Sequence, residues 1–539
     1  MVNQTEMEKR AKAKKSRTVM IASMIIVIAF VLAGALAPEA TGNVIALVNA
    51  FLCNDLGWSY LLMVAFFVFF GVYLAFSKYG KVVLGKDGDK PDYSNFQWFA
   101  LLFGGGIGIG LVFWGVAEPL MHYASGPLHE PGTVDAMRDA LRIAFMHEGI
   151  HCWALFAVCG TSLAYFQYRK GLPFLISSAF YPLIGDKIYG PIGKVIDVLA
   201  VFATVFGIST SLGLGAIQIT GGIGYIWGFE TNTVWTALII GGITIAFTVA
   251  TVSGLHKWMS KIVNIKVYLS IFFMLFFLVT AGFVFIMQQL TDQIGMVIND
   301  FFTQTFWYGN PDWLSNWTVF YWAWWIAWAP FCGQFFARVS KGRTIKQLIL
   351  GGTLLPAGFS FIWMVIYGSA AFNMDSATGG LITQAVNVDY TQALYALLQQ
   401  LPLFEVMAPL ALILVALCFI GAADSATFVL PMLTMGGDMN PPKKARAFWG
   451  IAQGAVTIVI ILTGGQAVLK SLQTASVASA FPFMFVLLGM CIGLFWALKC
   501  EFNPELGDKP LLSREAMKRK RAESKAAVAA AAAAEEEQQ

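Results

Sequence analysis

Charge is the scarcest ingredient of this sequence. Only 12% of its 539 residues are Asp, Glu, Lys or Arg, and five are histidine. Soluble globular chains carry about 25% charge, so a water-soluble fold is excluded. With 35 basic residues against 31 acidic ones, no nucleic-acid partner is expected. Cysteine is sparse as well. The seven cysteines (Cys53, Cys152, Cys159, Cys332, Cys418, Cys491 and Cys500) form no C-x-x-C pair and mostly sit in apolar runs. That pattern argues against a disulfide scaffold or a thiolate metal site and for small buried side chains. A small-residue cleavage pattern is missing after the first apolar run, 20–37, which therefore reads as a retained span and not a signal peptide.

Apolar residues fill the space that charge leaves. The chain is 58% hydrophobic and 14% aromatic, with a mean hydropathy of +0.67. A span needs roughly 20 apolar residues to cross about 30 Å of hydrocarbon. Candidates lie near 18–38, 57–77, 97–117, 140–167, 192–224, 233–254, 264–288, 316–337, 347–372, 403–434, 447–465 and 476–498. They make an all-α integral membrane protein with about twelve transmembrane helices. Lys and Arg concentrate in alternate connections: "KRAKAKKSR", "SKYGKVVLGKDGDK", "YRKG", "LHKWMSK", "ARVSKGRTIK", "PPKKARA" and "MKRKRAESK". By the positive-inside rule these share the cytoplasmic side with both termini. Arg138 and Arg142 are exceptions, in a stretch after "EPLMHYASGP" that reads as an exterior amphipathic helix, and 288–302 reads as an interfacial helix on the same side. The tail after Pro510, basic and then "AAVAAAAAAEEEQQ", reads as a cytoplasmic helix or a disordered extension.

Two segments are unlike lipid-facing helices. "FGGGIGIGLVFWGVAEP", 103–119, places Gly104, Gly105, Gly106, Gly108 and Gly110 inside a span. Each interior glycine costs a soluble helix about 1 kcal/mol. Within a membrane such a run serves close helix packing, or unwinding beside a cavity where freed carbonyls coordinate an ion or a substrate. In "NWTVFYWAWWIAWAPFCGQFFARVSKGRT", Trp322, Trp324, Trp325 and Trp328 crowd mid-span, with Pro330 and Gly333 just beyond. Mid-span indoles form either an aromatic core stripe or a box for a quaternary or tertiary ammonium. The diffuse charge of such a group is attracted to indole faces by about 2 kcal/mol or more once desolvated.

A third segment, "FMHEGIHCW", 145–153, spells H-E-x-x-H with His147, Glu148 and His151. On a helix this spacing puts two imidazoles a turn apart to hold zinc, with the glutamate as general base. A metalloprotease also needs a third ligand. None presents itself, since His122 and His129 read as part of an exterior connection and His256 lies on the cytoplasmic side. No metal, no cofactor and no enzymatic activity is expected.

The glycine run and the tryptophan segment resemble the two hallmark segments of the betaine/choline/carnitine transporter family. The likeness extends through "ISSAFYPLIGDKIYGPIGKVIDVLAVFATVFGISTSLGLGAIQI" and "GAADSATFVLPMLT", hence over almost the whole chain. The resemblance implies a secondary transporter with two inverted five-helix repeats preceded by two extra helices, and alternating access around a central site. It further implies a homotrimer in a bacterial inner (plasma) membrane. On this chain the parts would be a basic N-terminus 1–17, two peripheral helices in 18–96 and the first repeat in 97–290. An exterior amphipathic helix and loop in 291–315, the second repeat in 316–500 and a cytoplasmic tail 501–539 would follow.

Residue by residue, Trp324, Trp325 and Trp328 match the family's aromatic box. The family's fourth span reads H-W-x-x-x-x-W-A-x-Y where this chain has "HEGIHCWALF": His147 and Trp153 match, Phe156 stands for the tyrosine, and Glu148 replaces a box tryptophan. That carboxylate pairs with a cationic substrate, carries a coupling proton, or pairs structurally with His147, His151 or a lysine. The first role favours choline or another net cation over a zwitterion, whose own carboxylate would be repelled. The family's sodium sites do not carry over intact. One uses a Thr-Ser where this chain has Gly421 and Ala422 before "ADSA", and the other uses two threonines where it has Thr204 and Ile208. A hard cation prefers oxygen ligands, so lost hydroxyls strip the site. In "NIKVYLS", Lys266 aligns with an arginine that fills the sodium position in the family's sodium-independent carnitine antiporter. Lys266 acts as that fixed charge, loses a proton for coupling, or snorkels to the cytoplasm. The expectation is a sodium-independent antiporter or proton symporter for a quaternary-ammonium or related amine. A sodium-coupled betaine-type osmolyte importer is the alternative, and an intramembrane zinc protease a further one.

Overall fold

The computed structural model describes residues 4–106, 108–253, 256–464, 468–506 and 511, without the side chains of 4–15, 103–106, 256–260, 263, 422, 424–426 and 504. Most of the expected cytoplasmic tail, 501–539, lies outside the described residues. Among the described residues the regular elements are helices, with one isolated β-bridge between Val83 and Thr344.

The chain starts with α1 (Gln4–Leu36), α2 (Pro38–Asn54) and α3 (Gly57–Phe76). Pro38 opens α2, where its missing N–H is not needed. Only 22% of the apolar stretch of α1 is buried, against 94% for the span 134–169. The first helix therefore runs along the rim of the bundle and the fourth span through its centre.

The glycine-rich span divides into α4 (Asn95–Gly106) and α5 (Ile109–Ser125), with Gly108 extended between them (φ −103°, ψ 176°). Gly104, Gly105 and Gly106 belong to α4 and Gly110 to the first turn of α5, which corrects the expectation that they unwind and leaves Gly108 outside both helices; further detail of 104–106, and Ile107, lie outside the described residues. Each backbone group left unpaired in hydrocarbon costs several kcal/mol, which favours the shortest interruption that lets the helix change course. The fourth span is also in two pieces, α6 (Val134–Glu148) and α7 (Ile150–Ala164), with Gly149 between them. A Cβ on Gly149 would meet the Phe145 carbonyl oxygen at 2.5 Å. The Thr133 hydroxyl caps α6 by accepting from the Ala136 N–H at 3.2 Å.

After the short α8 (Tyr181–Ile184) come α9 (Pro191–Trp227), α10 (Thr233–Ser253), α11 (His256–Thr280) and α12 (Phe283–Thr305). The axes of α11 and α12 differ by 110°. α12 contains the stretch expected as an interfacial helix, and the expected boundary at 290/291 falls inside it. Arg138 and Arg142 lie on α6 and not on a separate exterior helix, a second correction. Arg138 makes two bonds of 2.7 Å to Asp292, while Arg142 bonds Asp139 at 2.6 Å and also Asp300. Acids of α12 thus balance the charge that looked out of place in a span.

The second half holds α13 (Pro311–Asn316), α14 (Thr318–Val339), α15 (Ile345–Ala377), α16 (Leu381–Val388), α17 (Ala393–Gln399), α18 (Phe404–Thr434), α19 (Lys443–Gly464) and α20 (Val468–Glu501). Thr344 and Gln347 close α15 with a reciprocal capping box. Among the described residues nine helices are long and apolar enough to cross a membrane, and the bent α11–α12 pair makes a tenth. The expected twelve are completed by α4–α5, whose halves have 12 and 17 residues, and by α14, where polar-tipped Trp and Tyr dilute the hydropathy. The two spans that read least like lipid-facing helices are the ones that build the site.

Candidate substrate-binding site

α14 packs against α7, α9 and α20 at the middle of the bundle. Trp324 and Trp325 stack with ring centroids 4.6 Å apart and planes 13° from parallel. Phe156 meets Trp325 edge-on at 6.1 Å and Trp153 at 5.6 Å. All four are buried, and Trp328, one turn beyond Trp324, is half-buried against Phe331. Every one of these indole N–H groups is tied to the backbone. Trp325 donates to the carbonyl of His147 at 2.7 Å and Trp153 to that of Glu148 at 3.1 Å. Trp324 and Trp328 both donate to the carbonyl of Gly207 on α9, at 3.2 and 2.9 Å. His147 and Glu148 are the last residues of α6, so the break at Gly149 is sealed by two indoles from the box. With their donors engaged, the rings have only π faces and edges left to present, and Trp324 is already stacked between Trp325 and Phe320, the latter at 5.4 Å. Such a surface suits a cation that has no hydrogen-bond donors of its own.

Glu148 ends α6 and is 3% exposed. Its Oε1 lies 2.7 Å from where a Cβ on Gly110 would stand, with the Trp324 ring edge 3.3 Å from the same point. Among the described residues Oε1 has no hydrogen-bond partner. The histidines expected as structural partners turn elsewhere: His147 contacts Glu118 Oε1 at 2.6 Å and Thr318 Oγ1 at 3.0 Å, and His151 contacts Thr305 Oγ1 at 2.8 Å. H-E-x-x-H is therefore split by a helix break and its imidazoles serve different neighbours, which overturns the zinc reading.

His147 leads to a cluster that sequence reasoning missed. Glu118 Oε1 is also 3.2 Å from His122 Nε2, and Glu118 Oε2 accepts from the Tyr321 hydroxyl at 2.5 Å. Glu118, His122, His147 and Tyr321 are all buried. His122 was assigned to an exterior connection; it lies instead on the last turn of α5, one turn after Glu118, with its ring against Trp317 at 4.4 Å. The contact with Glu118 gives the end of the helix an i,i+4 pair. Glu118, His122 and His147 offer atoms within 4.8 Å of one another, as a metal would need. The two oxygens of Glu118 already meet His122, His147 and Tyr321 in a hydrogen-bonded network, in which His122 Nδ1 has no partner among the described residues. An acid and a histidine four apart inside an apolar span were the available signal.

Residues 18–503 match the family model described as "BCCT, betaine/carnitine/choline family transporter". The chain belongs to this family. It is a transporter and not an enzyme. It is 60% identical over 488 residues to a probable glycine betaine transporter of Desulfitobacterium hafniense (strain Y51), covering 90% of this chain and 98% of that one. It is 44% identical over 482 residues to the glycine betaine transporter OpuD of Bacillus subtilis (strain 168), covering 88% and 93%. An osmo-dependent choline transporter, BetT2, of Acinetobacter baylyi is 34% identical over 505 residues, covering 92% and 73%.

The residues read from the sequence at the expected sodium positions are placed as follows. Lys266 on α11 is 7% exposed, so the snorkelling alternative is corrected: the stem does not carry the ammonium out to water. Its Nζ lies 4.0 Å from where a Cβ on Gly421 of α18 would stand. The side chain of Ala422 lies outside the described residues. Thr204 is buried and its hydroxyl donates to the Ala200 carbonyl of its own helix at 2.7 Å, while Ile208 one turn on is apolar and buried.

Proposed function

We propose that this chain is a sodium-independent secondary transporter of quaternary-ammonium compounds of the choline, betaine and carnitine kind. It works as a homotrimer in a bacterial plasma membrane, with both termini cytoplasmic and inverted repeats in 97–290 and 316–500. The ammonium head common to glycine betaine and choline fits the box of Trp153, Phe156, Trp324, Trp325 and Trp328, whose N–H groups are engaged with backbone carbonyls. The observation that carries sodium independence is Lys266. Its ammonium stands beside Gly421, where a sodium-coupled relative would present a hydroxyl. A sodium ion about 4 Å from that charge would be repelled by about 4 kcal/mol at an effective dielectric of 20. A fixed cation replaces the mobile one, and the driving force comes from exchange or from protons. Uptake of labelled choline and glycine betaine by proteoliposomes in sodium-free buffer tests this, with counter-substrate inside or a proton gradient imposed. Sodium-dependent uptake would restore the osmolyte-importer reading.

A further inference from the structure

The interruption between α4 and α5 gives the site a helix N-terminus next to its aromatic box. α5 is 17 residues long, and its N-cap, Gly108, has no side chain to satisfy the first N–H groups. Such an end carries about +0.5 charge and unpaired donors, and it attracts carboxylates. In transporters with broken helices these half-helix ends receive the acidic group of the substrate. Here a carboxylate of the protein is already at that end. Glu148 Oε1 lies 2.7 Å from the Cβ position of Gly110, in the first turn of α5, and among the described residues has no hydrogen-bond partner although the residue is only 3% exposed.

We propose that Glu148 is a built-in stand-in for the substrate carboxylate, and that the transporter accordingly selects ammonium cations without an acidic group, such as choline, over zwitterionic betaines. The selection rests on the proposed ammonium transport. A zwitterion placing its ammonium against Trp324 and Trp325 would bring its own carboxylate to the turn beside Glu148, and the two anions would repel each other across a short distance. A choline-like cation brings a hydroxyl there and keeps Glu148 as its counter-ion. Exchanging one tryptophan of the family's box for Glu148 thus removes one π face and adds a fixed anion, which suits net positive charge.

Binding of choline and of glycine betaine to the purified full chain is measured by isothermal titration, and uptake in proteoliposomes, for the wild type, Glu148→Gln and Glu148→Asp. The wild type is expected to bind choline at least about tenfold more tightly than glycine betaine, Glu148→Gln to lose about tenfold for choline and nothing for glycine betaine, and Glu148→Asp to keep the wild-type order. Thermal unfolding confirms that each variant is folded, and the wild-type order alone tests the proposal if a variant is not. Equal or tighter binding of glycine betaine by the wild type, or unchanged affinities in folded Glu148→Gln, overturns it. Uptake of neither compound would instead overturn the ammonium reading, whereas uptake with the zwitterion preferred leaves that reading standing and removes this one.

Discussion

Replacing Trp325 by phenylalanine and by leucine separates the two jobs of one side chain. Trp325 is 7% exposed, stacks on Trp324 at 4.6 Å, and donates its N–H to the His147 carbonyl at 2.7 Å, at the end of α6. Phenylalanine keeps a ring and loses the donor; leucine loses both. An unsatisfied buried carbonyl costs about 1–3 kcal/mol, so both variants should unfold at lower temperature than the wild type. A lost π face costs a desolvated cation about 2 kcal/mol, or about 30-fold in affinity. Isothermal titration with choline in detergent should therefore show Trp325→Leu about 30-fold weaker, and Trp325→Phe within about fivefold of the wild type because a ring face remains. Equal losses in the two variants would mean that the indole serves the ligand through its N–H and not its face. Wild-type affinity in Trp325→Leu would remove the residue from the site.

Glu118→Gln keeps the shape of the side chain but cannot accept from His147, His122 and Tyr321 together. It should lower the stability of the protein by about 3–5 kcal/mol, as breaking one partner of a buried charged network does, read as a fall in the denaturation midpoint; an unchanged midpoint would show that the cluster does not hold α5, α6 and α14 together. Lys266→Ala should cripple uptake in proteoliposomes while the detergent-purified variant still binds choline, and a wild-type uptake rate would leave Lys266 without a part in coupling.

The architecture was largely legible because its marks are compositional. Runs of apolar residues alternate with basic connections, and the tryptophans of α14 stand mid-span, where an interfacial anchor has no use. Trp153, Phe156, Trp324 and Trp325 do meet, and Glu148 Oε1 and the Trp324 ring edge both lie beside Gly110. What sequence could not supply was where the helices stop. The five glycines in the seven positions 104–110 look equally able to unwind, yet α4 continues through Gly106 and Gly108 is extended. The fourth span read as one apolar run, but Gly149 divides it, and that division separates His147 from His151 and hands two carbonyls to the indoles. Glu118 and His122 escaped notice because their partners, His147 and Tyr321, are 29 and 203 residues from Glu118. The local signature was the i,i+4 pair of Glu118 and His122 alone; the rest of the network is a property of packing. Arg138 and Arg142 misled for a related reason: beside Asp139 on α6, the acids that neutralise them, Asp292 and Asp300, sit on α12, more than 150 residues away.

Sodium dependence is the most direct measurement of all. Proteoliposomes containing the full chain, loaded with unlabelled choline or held at an inward proton gradient, are given labelled choline in buffer with potassium or N-methylglucamine as the only added cation. Lys266 beside Gly421 predicts uptake at the same rate with and without sodium. Uptake that disappears when sodium is left out, and returns when it is added, would contradict the assignment of the Lys266 ammonium to the place of the ion.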